Sequence, residues 1–103
     1  MNLNEFDGLI VQWAEAKGLT SPNKAFQQYT KLGEEFGELG ASLIRWDREA
    51  TKDAIGDCMV VLAIIAKQYN LSLNDCGEFA WNQIKDRTGS TVNGVFLKDE
   101  KSS

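Results

Sequence analysis

Four carboxylates carry the chemistry in this chain. Glu34, Glu35 and Glu38 form an E-E-x-x-E cluster, and Asp57 is the only charged residue in the apolar run 54–66 (AIGDCMVVLAIIA). A lone carboxylate in a core-type helix is costly unless it is paired, hydrogen-bonded or bound to a metal. Glu34 and Glu38 are four apart and Glu35 and Glu38 three apart, so on a helix they share one side. A rough helical-wheel count turns that side away from a Leu32/Phe36/Leu43 stripe. It also puts Asp57 on one face with Asp53, Ile64 and Gln68. Taken alone, the glutamate cluster reads as a solvated acidic face. With Asp57 added, it reads as an oxygen-only ligand set for Mg²⁺ or Mn²⁺, since Zn²⁺ would favour His or Cys.

The chain contains no histidine. That excludes Ser–His and Cys–His relays and leaves a metal-activated water attacking phosphorus. Phosphate chemistry needs cations as well. Lys31 lies one turn before Glu34 and Glu35. Lys85 and Arg87 end the last helical stretch, where their ordinary role is to face a helix C-terminus. Asn82, one turn before Lys85, is a candidate nucleotide contact. Of Trp13, Trp46 and Trp81, all core-packing by default, Trp13 is the one placed to line a pocket mouth beside the Lys17–Gly18 helix end.

The elements that position these residues are helical. Four helices are expected, at about 4–16, 22–46, 49–69 and 72–85. Ser21–Pro22 is a start signal, Ser72 or Asn74 a cap, and Lys17–Gly18 and Asn70 are stops. Phe6, Leu9, Ile10 and Trp13 form the apolar face of the first helix. Tyr29, Leu32, Phe36, Leu39 and Leu43 form that of the second, and Phe79 and Ile84 give the fourth its apolar contacts. The third helix, apolar nearly all round, should be the most buried. Gly33, Gly37 and Gly40 cost about 1 kcal/mol each inside a helix; the reason expected for them is close helix–helix approach. Asn93–Gly94 between β-formers predicts a hairpin after Gly89. The fold class is all-α, a four-helix bundle with a short C-terminal β-hairpin, in a single domain over 1–103 with a polar tail from about 98.

With 103 residues, 43% hydrophobic and 25% charged, the composition is that of a globular protein with a modest core. A net charge of −4 argues against a nucleic-acid polymer as partner. The acidic N-terminus does not look like a signal peptide, and the 54–66 run is too short to span a membrane, so the cytoplasm is the expected location. Cys58, inside the apolar run, is expected to be a buried thiol. Cys58 and Cys76 lack metal-site spacing.

The residues Gln28-x-x-Lys31-Leu32-x-Glu34-Glu35-x-Gly37-Glu38-Leu39, Asp53-Ala54-Ile55-Gly56-Asp57 and Asn82-x-x-Lys85-x-Arg87 together resemble the MazG-like, all-α nucleoside triphosphate pyrophosphohydrolases. The resemblance runs from about Trp13 to Phe96. It looks strongest to short phage-type and related bacterial members ending in Val-Asn-Gly-Val-Phe. It implies an Mg²⁺-dependent bundle that splits a nucleoside triphosphate into monophosphate and pyrophosphate. Carried over by residue, it implies Glu35, Glu38 and Asp57 as metal ligands and Glu34 as a further ligand or the water-activating base. Lys31, Lys85 and Arg87 would contact phosphates, and Asn82 and Gln28 the nucleotide. It also implies a homodimer or homotetramer with sites completed between subunits. One departure is specific. The family's second motif is written ExxD, and the position three before Asp57 is Ala54. Asp53, on the same helix face, is the candidate replacement; without it the site is one ligand short. The competing reading is a non-catalytic helical module that senses a nucleotide or docks a partner protein through a degenerate metal site.

Overall fold

The computed structural model describes residues 1–100. Four helices, α1 (Leu3–Ala16), α2 (Ala25–Ile44), α3 (Arg48–Gln68) and α4 (Leu73–Ile84), precede a hairpin of β1 (Gly89–Val92) and β2 (Val95–Lys98). The start signals act much as their chemistry dictates. Asn2 caps α1 by accepting from Glu5 N, and Asp47 caps α3 by accepting from Ala50 N. Ser72 and Asp75 form a reciprocal capping box at α4, which satisfies two backbone donors that would otherwise be orphaned. Ser21–Pro22 opens a short 3₁₀ turn, Pro22–Lys24, rather than α2 itself. The Ser21 hydroxyl is drawn to Asn23 Oδ1 at 2.6 Å instead of capping backbone. Asn70 stops α3 in the left-handed region at φ 57°. Asn93 and Gly94, both at positive φ, turn the hairpin, the type I′ requirement.

The hairpin pairs Gly89 with Lys98 through Val92 with Val95, antiparallel. A Cβ at Gly89 would run into the Leu97 carbonyl, so only glycine fits there. Lys98 belongs to β2, and Asp99 is bonded back to Thr88 through its N–H at 2.9 Å. Of the polar tail expected from 98, only residues 101–103 lie outside the described chain.

The α2–α3 hairpin is the most extensive pairing, and α1 and α4 pack on α3. As expected, α3 is the buried element, through Ala54, Cys58, Val61, Ala63, Ile64 and Ala66. Cys58 is a buried free thiol, held above its usual pKa by burial and then by the charges of Glu35 and Asp57. Among the described residues, no single helix is long and apolar enough to cross a membrane.

Three expectations are corrected. The α2 stripe splits: Leu32 is buried, whereas Tyr29, Phe36 and Leu43 are exposed. In α4 nothing is buried, and Phe79 and Ile84 are exposed. The glycines bring no helix close within this chain, because a Cβ at Gly33, Gly37 or Gly40 would meet nothing within 4 Å. The first and, for Gly33 and Gly40, the third share one cause. At about 3.6 residues per turn, Tyr29, Gly33, Phe36, Gly40 and Leu43 fall on the side of α2 that α3 does not cover. Ile55, Leu62 and Tyr69, also exposed, recur every seven residues on the same open side of α3.

Asp7 was not singled out by its sequence context. It is buried, and its Oδ1 and Oδ2 accept from the backbone N–H groups of Leu73 (3.0 Å) and Asn74 (2.9 Å). One carboxylate of α1 therefore closes the N-terminus of α4, where the helix dipole favours negative charge.

Candidate metal centre

The α2–α3 turn sets the register of the two acidic helices. Ser42 is almost fully buried there. The Thr51 hydroxyl lies 3.0 Å from Ser42 Oγ and 2.8 Å from the Asp47 carbonyl, tying the first turn of α3 to the last turns of α2. In this antiparallel register, Glu35 and Glu38 of α2 face Asp57 of α3. One ligand atom from each of the three carboxylates lies within 4.8 Å of the others. Contrary to the wheel count, Glu35 is not turned away from the core. It is only 6% exposed, one turn from the buried Leu32.

The electrostatics of the trio are those of a crowded acidic site. Asp57 is half-buried, and its pKa is raised, first by desolvation and then by the negative charges of Asp53 and Glu35. Glu35 Oε1 is 3.4 Å from Lys31 Nζ. Glu35 Oε2 is buried with no hydrogen-bond partner. A buried carboxylate oxygen without a donor is rare and costly. It belongs to a residue of the trio, and the trio's set of oxygen donors fits a hard divalent cation. Lys31 also pairs with Glu34 at 3.3 Å, and these two hydrogen bonds, Glu34 first, raise the lysine pKa.

The other sequence candidates are distributed around this centre. Glu34 is exposed and outside the trio, held by Lys31. Asp53 is exposed and also outside it, close enough to act on Asp57 through charge. Gln28 is half-buried one turn before Leu32. Trp13 is half-exposed with Lys17 Nζ 5.8 Å from its ring centroid, so a stacking base would have to displace that cation. Asn82, Lys85 and Arg87 are not delivered along α3. The axis of α4 turns by 96° from that of α3, and Asn82, Lys85 and Arg87 do not line the clefts at Asp53 and Asp57.

Two residues lining the site went unnoticed in the sequence. Phe6 joins Asp53, Gly56 and Asp57 in a cleft of about 400 Å³ between α1 and α3. Arg45 joins Glu38 and Asp53 in a smaller one of about 220 Å³. The signal for Arg45 was its spacing: Lys31, Glu38 and Arg45 are seven residues apart, hence on one face of α2.

The fold and site define a mostly helical protein with a three-carboxylate centre on a helical hairpin. No family model matches the chain, and no solved structure matches it. A curated relative is described as an uncharacterized 18.2 kDa protein in the rep-hol intergenic region of Haemophilus phage HP1 (strain HP1c1). It is 44% identical over 62 residues, which is 60% of this chain. The match spans 38% of that relative's length.

Proposed function

We propose that this chain is a MazG-like, Mg²⁺-dependent nucleoside triphosphate pyrophosphohydrolase. It would cleave the α–β phosphoanhydride with water to give a nucleoside monophosphate and pyrophosphate. The observation that carries the reading is the trio Glu35, Glu38 and Asp57, drawn from two facing helices, with one buried oxygen of Glu35 unpartnered. A bound Mg²⁺ (or Mn²⁺) would supply Lewis-acid charge to the phosphates and lower the pKa of a water. The protein's own part is to hold three carboxylates together on a seam that buries Glu35, half-buries Asp57 and leaves Glu38 exposed, and charge interactions at the buried end are stronger than in bulk water. Lys31 neutralises Glu34 and Glu35 in the resting site. With substrate it would exchange to a phosphate oxygen, freeing Glu34 to take a proton from water.

The same reading includes a homodimer or homotetramer. The chain exposes 7670 Å², about 1,900 Å² more than a folded monomer of its mass. Its radius of gyration is 15.9 Å, against about 13 Å for a compact domain of this length. The open face with Tyr29, Phe36, Leu43, Ile55, Leu62 and Tyr69 lies across the seam from the acidic trio, so a second copy can cover it without blocking the centre. Assembly would also offer the α4 cations Lys85 and Arg87, with Asn82, to a neighbour's site. Phe36→Glu is expected to shift the light-scattering mass toward the monomer; an unchanged mass would exclude this face.

Incubation with a nucleotide panel and Mg²⁺ is expected to release pyrophosphate from at least one nucleoside triphosphate. Ala54, where a fourth carboxylate is expected, and Asp53, outside the trio, favour the second reading: a non-catalytic nucleotide-sensing or protein-docking module. Nucleotide binding with no pyrophosphate at high protein concentration would select that module.

A further inference from the structure

We propose that Arg45 is a phosphate-binding residue that fixes the polarity of the substrate, with the pyrophosphate end against Arg45 and the nucleoside end toward Phe6. This assignment rests on the metal-centre reading above and adds a direction to it. The two clefts that meet at Asp53 differ in size and lining. The smaller, about 220 Å³, is lined by Glu38, Ala41, Arg45, Ala50, Asp53 and Ala54. Its only cation is Arg45, and three of its six residues are alanines, which leave the floor free of side-chain bulk. The larger, about 400 Å³, has the half-buried Phe6 as its only aromatic among the described residues and Gly56 in its wall, and its cation, Lys52, is 3.7 Å from Glu49 Oε2 in the same lining.

Size and chemistry separate the two. A cleft of about 220 Å³ suits phosphoryl groups and is small for a nucleoside, which needs the larger, aromatic-edged space. Glu38 lines the smaller cleft and Asp57 the larger, so the metal ligands straddle their junction. The chain to be cut would therefore lie across the trio.

Arg45 is also the cation that the resting site leaves unused. Lys31 is already paired with Glu34 and Glu35, and Lys52 of the larger cleft with Glu49. The Arg45 guanidinium makes no ion pair among the described residues, although Glu38 and Asp53 line the same cleft. A planar guanidinium can grip two phosphate oxygens at once, which an ammonium cannot. The ordinary alternative is that Arg45, as the C-cap residue of α2, only faces the helix dipole. That role would affect melting temperature and not ligand affinity.

The probe is inorganic pyrophosphate, titrated calorimetrically into the full chain in the presence of Mn²⁺, with Mn²⁺ binding followed separately by its electron paramagnetic resonance signal. Arg45→Ala is expected to weaken pyrophosphate by about tenfold or more with Mn²⁺ affinity unchanged, and Arg45→Lys to recover part of the loss. Arg48→Ala, the same charge change outside the cleft, is expected to leave pyrophosphate affinity as in the wild type. Phe6→Ala is expected to weaken a nucleoside monophosphate and spare pyrophosphate. Wild-type pyrophosphate affinity in Arg45→Ala overturns the assignment, and so does a wild type that holds Mn²⁺ but binds no pyrophosphate. A wild type that binds no Mn²⁺ contradicts the metal centre instead. In that case a pyrophosphate affinity that still depends on Arg45 sustains the anion site.

Discussion

Asp57→Asn is expected to abolish turnover and, in metal-free protein, to raise the melting temperature by a few degrees. Asp57 is a carboxylate held half-buried beside two others. Its pKa is raised first by desolvation and then by Asp53 and Glu35. A carboxylate whose folded-state pKa lies above its unfolded value binds its proton more tightly when folded. The stability linked to it is fully present below the unfolded value, near 3.8, and is lost as pH rises through the folded value. At neutral pH the ionised Asp57 therefore strains the metal-free fold, and the neutral amide removes the strain. Relative to Asp57→Asn, the wild type should regain stability on acidification, measured as melting temperature against pH in EDTA.

Mg²⁺ reverses the ranking. A ligand that binds only the folded state stabilises it by mass action, so Mg²⁺ should raise the melting temperature of the wild type and not that of Asp57→Asn. Loss of activity should be at least about 100-fold, since even the outer partners of metal ligands are worth 10- to 100-fold. Glu38→Gln should behave alike in activity without unfolding the protein. Full turnover in both variants would exclude the metal role.

Asp7→Ala is expected to produce the largest loss of stability, about 3 kcal/mol. It removes two bonds from backbone N–H groups to one buried carboxylate, at 3.0 and 2.9 Å. Hydrogen bonds to a charged group contribute about 1.5–3 kcal/mol each, and the donors left behind are partly buried. For a domain of this size the loss corresponds to about 10–20 °C in melting temperature. The Ser72–Asp75 capping box remains, so α4 should stay helical while its docking on α1 loosens. Hydrogen exchange should show this as lost protection at Leu73 and Asn74. An unchanged melting temperature would mean that α4 is held by something other than Asp7.

The elements were legible because their signals are local. Asn70, Asn93–Gly94 and Ser72 each act through their own backbone neighbourhood, and the long apolar run of α3 leaves little alternative to burial. Long-range relations were not legible. Asp7 reads as one more surface acid in an acidic N-terminus, because its partners are 66 and 67 residues away. The orientation of α2 is ambiguous in the sequence for a related reason. Tyr29, Phe36 and Leu43 look like core, and apolarity alone does not say whether the face is covered by the same chain or by another. A wheel count aligned on that stripe puts Glu35 outside, whereas the fold buries it to 6% exposure.

The candidate centre was legible as a neighbourhood: helical spacing puts Glu34, Glu35 and Glu38 on one side of α2 and an isolated Asp in an apolar run marks Asp57, while the choice of Glu35 and Glu38 over Glu34 comes from the family resemblance and not from spacing. The part of Asp53 was not, because one helical position decides whether a carboxylate points into the trio or beside it. Arg45 was hidden by its place at a helix end, where arginine has an ordinary reason to be.

The most direct test is phosphorus NMR of a nucleoside triphosphate turned over by the wild type with Mg²⁺. The account predicts monophosphate and pyrophosphate in equal amounts, no product in EDTA, and none with Glu38→Gln. Diphosphate with inorganic phosphate, or undiminished turnover in EDTA, would contradict it.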